Sequence, residues 1–298
     1  MKRFLRLRRG APALHSTHWA ESTLAEESWD RSRGASKRWA WAGALLGLLL
    51  GLVIFAPATW LANGVAQATG GRLLLADARG TVWSGSAQVV LTGGEGSRDA
   101  AALPGRMQWT LGIAHRGAAL GLSLNASQAC CLNGAVQLQA WPGWGRIQLA
   151  LQAPGGAVGQ WPSAWLGGLG APWNTLQLGG SLRLQSSGLV LESVQGRWRV
   201  EGGLDLELLG VSSRVSTLEP LGSYRLSLRG DPAQAGAAQL ELLTLQGALQ
   251  LQGSGVWGAG GVRFRGDAHA APGAEAALAN LLNIIGRRDG ARSVISIG

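Results

Sequence analysis

The chain holds few of the residues that carry chemistry. Its 298 residues include only four histidines and two cysteines. His15 and His18 precede the main apolar run, while His115 and His269 stand alone in alternating, charged surroundings, without metal-ligand spacing. No His-Glu-x-x-His pair, Gly-x-Ser-x-Gly elbow or Gly-x-x-x-x-Gly-Lys-Ser/Thr loop occurs, which removes the usual zinc, hydrolase and nucleotide signatures. The stretch "GSGVWG", with Gly253, Gly255 and Gly258, has the spacing of a dinucleotide fingerprint. Strand-like sequence flanks it and no helix follows, so it reads as a turn. Carboxylates are scattered singly; Asp205 and Glu207 would share one strand face, and the default for such a pair is a solvated polar face. These absences point away from an enzyme and give no metal or cofactor site.

Tyrosine and phenylalanine are also scarce, one and three residues against fourteen tryptophans and 47 glycines. Leu, Val, Ala and Trp therefore supply the apolar surface of a chain full of turns. Long soluble helices are excluded, because each interior glycine costs roughly 1 kcal/mol relative to alanine. The formal charge of +9 is unevenly placed: residues 1–38 carry nine basic and four acidic side chains, and the remainder 17 arginines against 13 carboxylates. The body is thus only mildly basic, which argues against a nucleic-acid partner.

From Trp39 to Gly71 no residue is charged, and the heart of that run, 39–61, is long enough to cross a bilayer as one helix. In a helix Trp39 and Trp60 would lie about 32 Å apart, close to the hydrocarbon thickness, and with Trp41 they suit interfacial anchors. Arg31, Arg33, Lys37 and Arg38 precede the run, so the positive-inside rule sets the amino end in the cytoplasm and the rest across the membrane. The competing readings are a buried core helix and a cleaved signal ending at Ala66-Gln67-Ala68. Against the signal stand the length of the run and the 38 residues before it. Pro57 is expected to kink the last turn. Residues 1–38 alternate basic and acidic blocks with few aliphatic residues, and are expected to form a disordered cytoplasmic tail or to lie on the membrane surface.

Beyond residue 71 the period changes to two, the mark of half-buried strands. Leu176 and Leu178, Leu182 and Leu184, Leu189 and Leu191 alternate with polar residues, and Gly179-Gly180, Ser187-Gly188 and Gly202-Gly203 fall where tight connections are expected. The fold class that follows is mainly β: one amino-terminal transmembrane helix, then residues 62–298 as a curved, largely antiparallel sheet with strand-rich halves at about 72–153 and 176–298. Residues 154–175, rich in Pro, Gly and Trp, read as the crossover between the halves. Near the end, Ala277, Leu278, Leu281, Leu282 and Ile285 form one stripe of a short helix over 274–285, with Gly286 as its C′ residue and "ARSVISI" as a final strand.

Cys130 and Cys131 are adjacent. On a regular strand they would point to opposite faces, so a bond between them requires a strained turn. An oxidising compartment would permit it. Two separate thiols, or an intermolecular bridge, remain open.

The stretch "RGTVWSG" introduces the alternating body. Thr81 and Trp83 would share one face of a short strand, with Gly80 permitting the turn before it and Gly85 a bulge after it, which makes Trp83 a core plug. A span near the start, then "ARGTVWSGSA", a glycine-rich alternating body and the closing "LLNIIGRRDGARSVISI" together resemble protein N of the bacterial type II secretion system, over about residues 40–298. The residues that carry the resemblance, Gly80, Thr81, Trp83, Gly85, Leu281, Leu282 and Gly286, are folding landmarks rather than chemical groups. The resemblance implies a single-pass inner-membrane protein with its bulk in the periplasm. It further implies a non-catalytic part in exporting folded proteins, with the inner-membrane platform or the outer-membrane secretin as partner. The 38-residue lead is longer than the resemblance leads one to expect. The organisation is similar also to the wider AsmA-like group, in which a curved sheet offers an apolar groove to acyl chains. A groove should leave one sheet face apolar yet uncovered, whereas a scaffold should bury it.

Overall fold

The computed structural model describes residues 37, 39–195, 197–230, 236–258 and 261–298, so the reading of 1–38 as a tail lies, but for residue 37, outside the described residues. The chain divides into two compact units, residues 1–55 and Ala56–Gly298.

In the first unit, helix α1 covers residues 39–54, and its side chains are exposed along its length, with only Gly51 partly covered. The expected single helix over 39–61 is not what forms. Pro57 is extended, with φ −69° and ψ 146°, and a second helix, α2 (Ala58–Ala68), starts after it. Proline disfavours helical geometry in the residue before it and lacks an N–H to continue the ladder, so the apolar run is divided between two elements. Among the described residues no helix is long and apolar enough to cross a membrane.

The second unit is built on β1 (Leu73–Gly80), β2 (Ser84–Thr92), β3 (Ala100–Ala102), β4 (Met107–Arg116), β5 (Ala119–Gln128), β6 (Val136–Gly143), β7 (Arg146–Gln152), β8 (Ala157–Pro162) and β9 (Leu178–Ser186). It continues through β10 (Leu189–Val194), β11 (Arg197–Glu201), β12 (Gly203–Ser213), β13 (Gly222–Gly230), β14 (Ala238–Gly247), β15 (Leu249–Gly258), β16 (Gly261–Ala270), β17 (Arg287–Asp289) and β18 (Arg292–Ile297). Two short helices complete it, α3 (Trp173–Leu176) and α4 (Glu275–Ile285). Every neighbouring pair is antiparallel.

The strands form two nine-stranded sheets rather than one. The first runs β1-β2-β4-β5-β6-β7-β10-β11, with β3 on β2; the second runs β17-β18-β16-β15-β14-β13-β12-β9-β8. Residues 189–201 follow β9 in sequence yet hydrogen-bond into the first sheet, and β12 returns to the second. Gly202, at φ +74°, sits where the chain crosses back; a side chain there would meet the carbonyl of Gly188. The connection at 154–175 is itself structured. It contributes β8, a 3-10 turn at Ser163–Leu169 and α3, and the Trp165 indole N–H donates to the Ala101 carbonyl at 3.0 Å.

Two glycine pairs differ from the sequence reading. Gly253 and Gly255 lie inside β15, not in a turn: Cβ atoms there would stand 2.5 Å from the Phe264 ring and against Arg263 O, respectively. The neighbouring strand's phenylalanine occupies the space their side chains would need. Gly179-Gly180 lie inside β9 at a register shift opposite Leu209–Ser212, where Gly180 takes φ +98°. An alternating pattern does not distinguish a bulge glycine from a turn glycine, because both need the positive φ.

Three apolar clusters hold the unit. One joins α2 to β1, β2 and β4 around Ala87, Leu103 and Trp109; one seats α4 and α3 on the second sheet; one lies where the sheets meet, around Leu189, Val200 and Ala238.

Candidate functional site

The opening motif is a clasp at the start of the first sheet. Thr81 to Trp83 form a bend rather than a strand, and Trp83 is only half-buried, so it is not the expected plug. The buried tryptophan is Trp109 on β4, 3 % exposed, whose indole N–H donates to the Val82 carbonyl at 3.1 Å. The bend places Trp83 at the backbone edge, where its carbonyl accepts from Leu111 N at 2.7 Å. Gly85 is required by close packing, since a Cβ there would lie 2.5 Å from the Trp109 ring and 2.6 Å from Arg79 O. Gly80, at φ +91°, would set a Cβ 2.5 Å from Ser84 O. Beside the clasp, Arg106 donates to the Asp77 carboxylate at 2.7 Å and to its carbonyl at 2.6 Å. Hydrogen bonds from Arg79 and Arg106 hold the Asp77 carboxyl below its ordinary range. Sequence reasoning missed both residues: the alternation of Met107, Trp109 and Leu111 puts Trp109 on an apolar strand face without saying that this face is buried, and Arg106 gave no sequence signal.

The closing motif seats α4. Leu278, Leu281 and Leu282 are buried, as their stripe requires, and the Ser293 hydroxyl donates to the Leu282 carbonyl across to β18. Gly286 is not a left-handed C′ residue: it is extended, and a Cβ on it would stand 2.6 Å from Val294 O. Close approach of β18, not turn geometry, selects glycine there.

Of the open readings for Cys130 and Cys131, the structure has the bond between neighbours, in a turn between β5 and β6. This turn joins the sheets. The Cys131 carbonyl accepts from Gln160 N at 2.9 Å, Asn133 N donates to Val158 O at 3.1 Å, and Leu132 bridges Gly159. Trp39, Trp41 and Trp60 are all exposed, at 79 %, 77 % and 55 %.

What the sheets present most clearly is an apolar face. Directly opposed residues in antiparallel strands share a face. The registers therefore align Ile113, Leu122, Ala140, Leu149, Leu191 and Val200 in one row across β4, β5, β6, β7, β10 and β11. A second row holds Leu111, Leu124, Leu138, Leu151 and Leu189. At the β10–β11 side this face is covered, because Leu189 and Val200 pack with Leu204 and Leu228 of the second sheet. Toward β4 and β5 the cover ends: Ile113 is 67 % exposed, Leu120 63 % and Leu122 44 %.

The opposite face of the second sheet is polar. Asp205 and Glu207 do share a strand face, but each is held by arginine. Arg225 donates to Glu207 at 2.8 Å with Arg183 at 3.5 Å, and Arg229 donates to Asp205 at 2.6 Å. For Asp205 burial pushes the carboxyl upward, yet hydrogen bonds from Arg229 and Ser227 outweigh it and leave the group below its ordinary value. Burial raises the Tyr224 phenol, whose O–H donates to the Leu249 carbonyl at 3.1 Å. His115 is exposed on β4, and His269 lies 3.5 Å from Asp267 in an ion-pair arrangement too long for a hydrogen-bonded dyad. Among the described residues no three His, Cys, Asp or Glu side chains converge on a possible metal position.

The family model of type II secretion system protein N matches residues 71–295, most of the chain and all of the two-sheet body from β1 to the middle of β18. The chain belongs to this family. No curated protein and no solved structure matches it. Membership makes this protein a component of the type II secretion system, in a family not known for enzymes and one that points to other components of that system as its partners.

Proposed function

We propose that this protein is a non-catalytic, inner-membrane component of the secretion machinery, anchored by its first apolar helix with the two-sheet unit in the periplasm. The observation that carries the reading is α1: sixteen residues from 39 to 54 without a charge, apolar side chains bare all round, in a chain whose preceding residues are basic. An apolar helix with no polar stripe suits lipid on every side. Trp39 and Trp41 supply an interfacial belt at its amino end. The two-sheet unit then works as a scaffold that meets other secretion components through side chains and strand edges.

Cysteine labelling of the full chain in cells tests the orientation. A cysteine at Ser187 should react with a membrane-impermeant reagent from the periplasmic side; reaction only from the cytoplasm overturns it. Deleting the gene should lower export of the system's substrates.

A second reading, lipid binding of the AsmA-like kind, is favoured by one observation, the uncovered part of the leucine face at Ile113, Leu120 and Leu122. Normal export in the deletion strain, with altered outer-membrane lipid composition, would support this second reading over the first.

A further inference from the structure

The first sheet ends in a rim of three hairpin turns. The pairings Arg116 with Ala119, Gly143 with Arg146, and Arg146 with Val194 put the β4–β5, β6–β7 and β10–β11 turns at the same end of the sheet. At that rim Trp144 stands wholly in solvent, 104 % exposed, between Gly143 and Gly145. Turn positions favour small polar residues, and a bare indole there has no folding purpose. One register row back on the leucine face, Leu120, Ile147 and Trp198 are also exposed, at 63 %, 38 % and 37 %.

The charge at the rim has one sign. Arg116 and Arg146 are exposed and form no ion pair among the described residues. The Arg116 guanidinium lies 5.5 Å over the Trp141 ring and donates to Gln148 at 3.0 Å, so it is held at the end of the sheet while keeping its charge. The Arg146 stem folds over Gly143, where an added Cβ would stand 2.9 Å from it. The nearest carboxylate in register, Glu192, is set two positions inward, opposite Gln148 and Arg199.

We infer that this rim docks on an anionic lipid bilayer. Trp144 enters the headgroup layer, Leu120 and Ile147 follow to its apolar boundary, and Arg116 and Arg146 meet phosphates. Tryptophan beside unpaired arginine is the composition that bilayer interfaces select, and fixed positive charge complements anionic lipid. The leading edge is formed by protruding turns rather than by a concavity, which suits a deformable surface better than a side-chain pocket. This inference rests on the membrane-protein reading above, and its test offers the rim a separate anionic bilayer so that its contact with lipid is read apart from that of the anchor.

The test uses the full chain, held by α1 in nanodiscs of zwitterionic lipid, with an environment-sensitive fluorophore on Ala118→Cys at the β4–β5 turn. Separate phosphatidylglycerol vesicles carrying a nitroxide quencher are then added. The expected result is saturable quenching at 118, little quenching with phosphatidylcholine vesicles, and none from a probe on Ser187→Cys. Arg116→Gln with Arg146→Gln should weaken vesicle binding about twenty-five-fold, at roughly fivefold for each charge lost near an anionic surface. Trp144→Ala should weaken it severalfold with unchanged circular dichroism. Equal quenching at 187, or no quenching at 118, overturns the inference. So does a probe shift that needs no vesicles and grows with protein concentration, which would assign the rim to a second copy of the chain.

Discussion

Replacing Gly85 by alanine adds one methyl group at the point where the opening motif meets the core. That methyl would stand 2.5 Å from Cζ2 of Trp109, 2.6 Å from Arg79 O and 3.0 Å from Thr81 O. Trp109 cannot swing aside, because it is buried and its indole N–H is committed to Val82 O. The other two neighbours are backbone carbonyls, so no flexible side chain is available to absorb the strain. Overpacking of this kind costs about 1–3 kcal/mol, and the rigidity of all three neighbours puts Gly85→Ala in the upper half of that range. For a unit of this size the loss corresponds to a midpoint lowered by roughly 4–12 °C. Gly112→Ala is the matched control: it lies on β4 of the same sheet, and a Cβ there meets nothing within 4 Å. Thermal unfolding of the full chain in detergent, followed by near-ultraviolet circular dichroism, reports on the tryptophan environment directly. If Gly85→Ala melts with the wild type, or if Gly112→Ala is lowered as much, close packing against Trp109 is not why glycine stands at 85.

At the other end of the unit, Leu282→Ala removes a side chain that is 1 % exposed and should cost about 2–5 kcal/mol in urea unfolding, whereas Ile284→Ala, 45 % exposed, should cost far less. In the charge ladder, Arg225→Gln should destabilise more than Glu207→Gln, by about 1 kcal/mol. The first leaves a carboxylate that is 9 % exposed with only Arg183 at 3.5 Å, while the second removes the charge itself; the part-exposed arginine keeps the difference small. Stability should fall with acid through Asp205. Its carboxyl is depressed in the fold, so its contribution is complete above the unfolded value near 3.8 and is lost as pH drops through the lower folded value; Asp205→Asn should remove that part of the acid limb. Replacing both Cys130 and Cys131 by serine should speed amide exchange at Asn133 and Gln160, whose N–H groups bridge the two sheets beside the bond, and leave Leu278 in α4 unchanged.

The sequence by itself determined the elements whose signal is local. Alternation at every second residue produced antiparallel strands, since Leu182 and Leu184 had one face to bury and Arg183 and Gln185 one to hydrate. The stripe through Leu278, Leu281 and Leu282 produced α4, and the two end motifs carried the family. Tertiary structure decided everything that depends on what lies across the sheet. It set Trp109 rather than Trp83 into the core, made strand residues of Gly253 and Gly255 under Phe264, and sent residues 189–201 back to the first sheet. It also left Ile113 and Leu120 bare while covering Leu189 and Val200, which occupy the same face. A period of two tells each side chain which face it takes; only the pairing of distant strands tells that face whether it meets protein or something else.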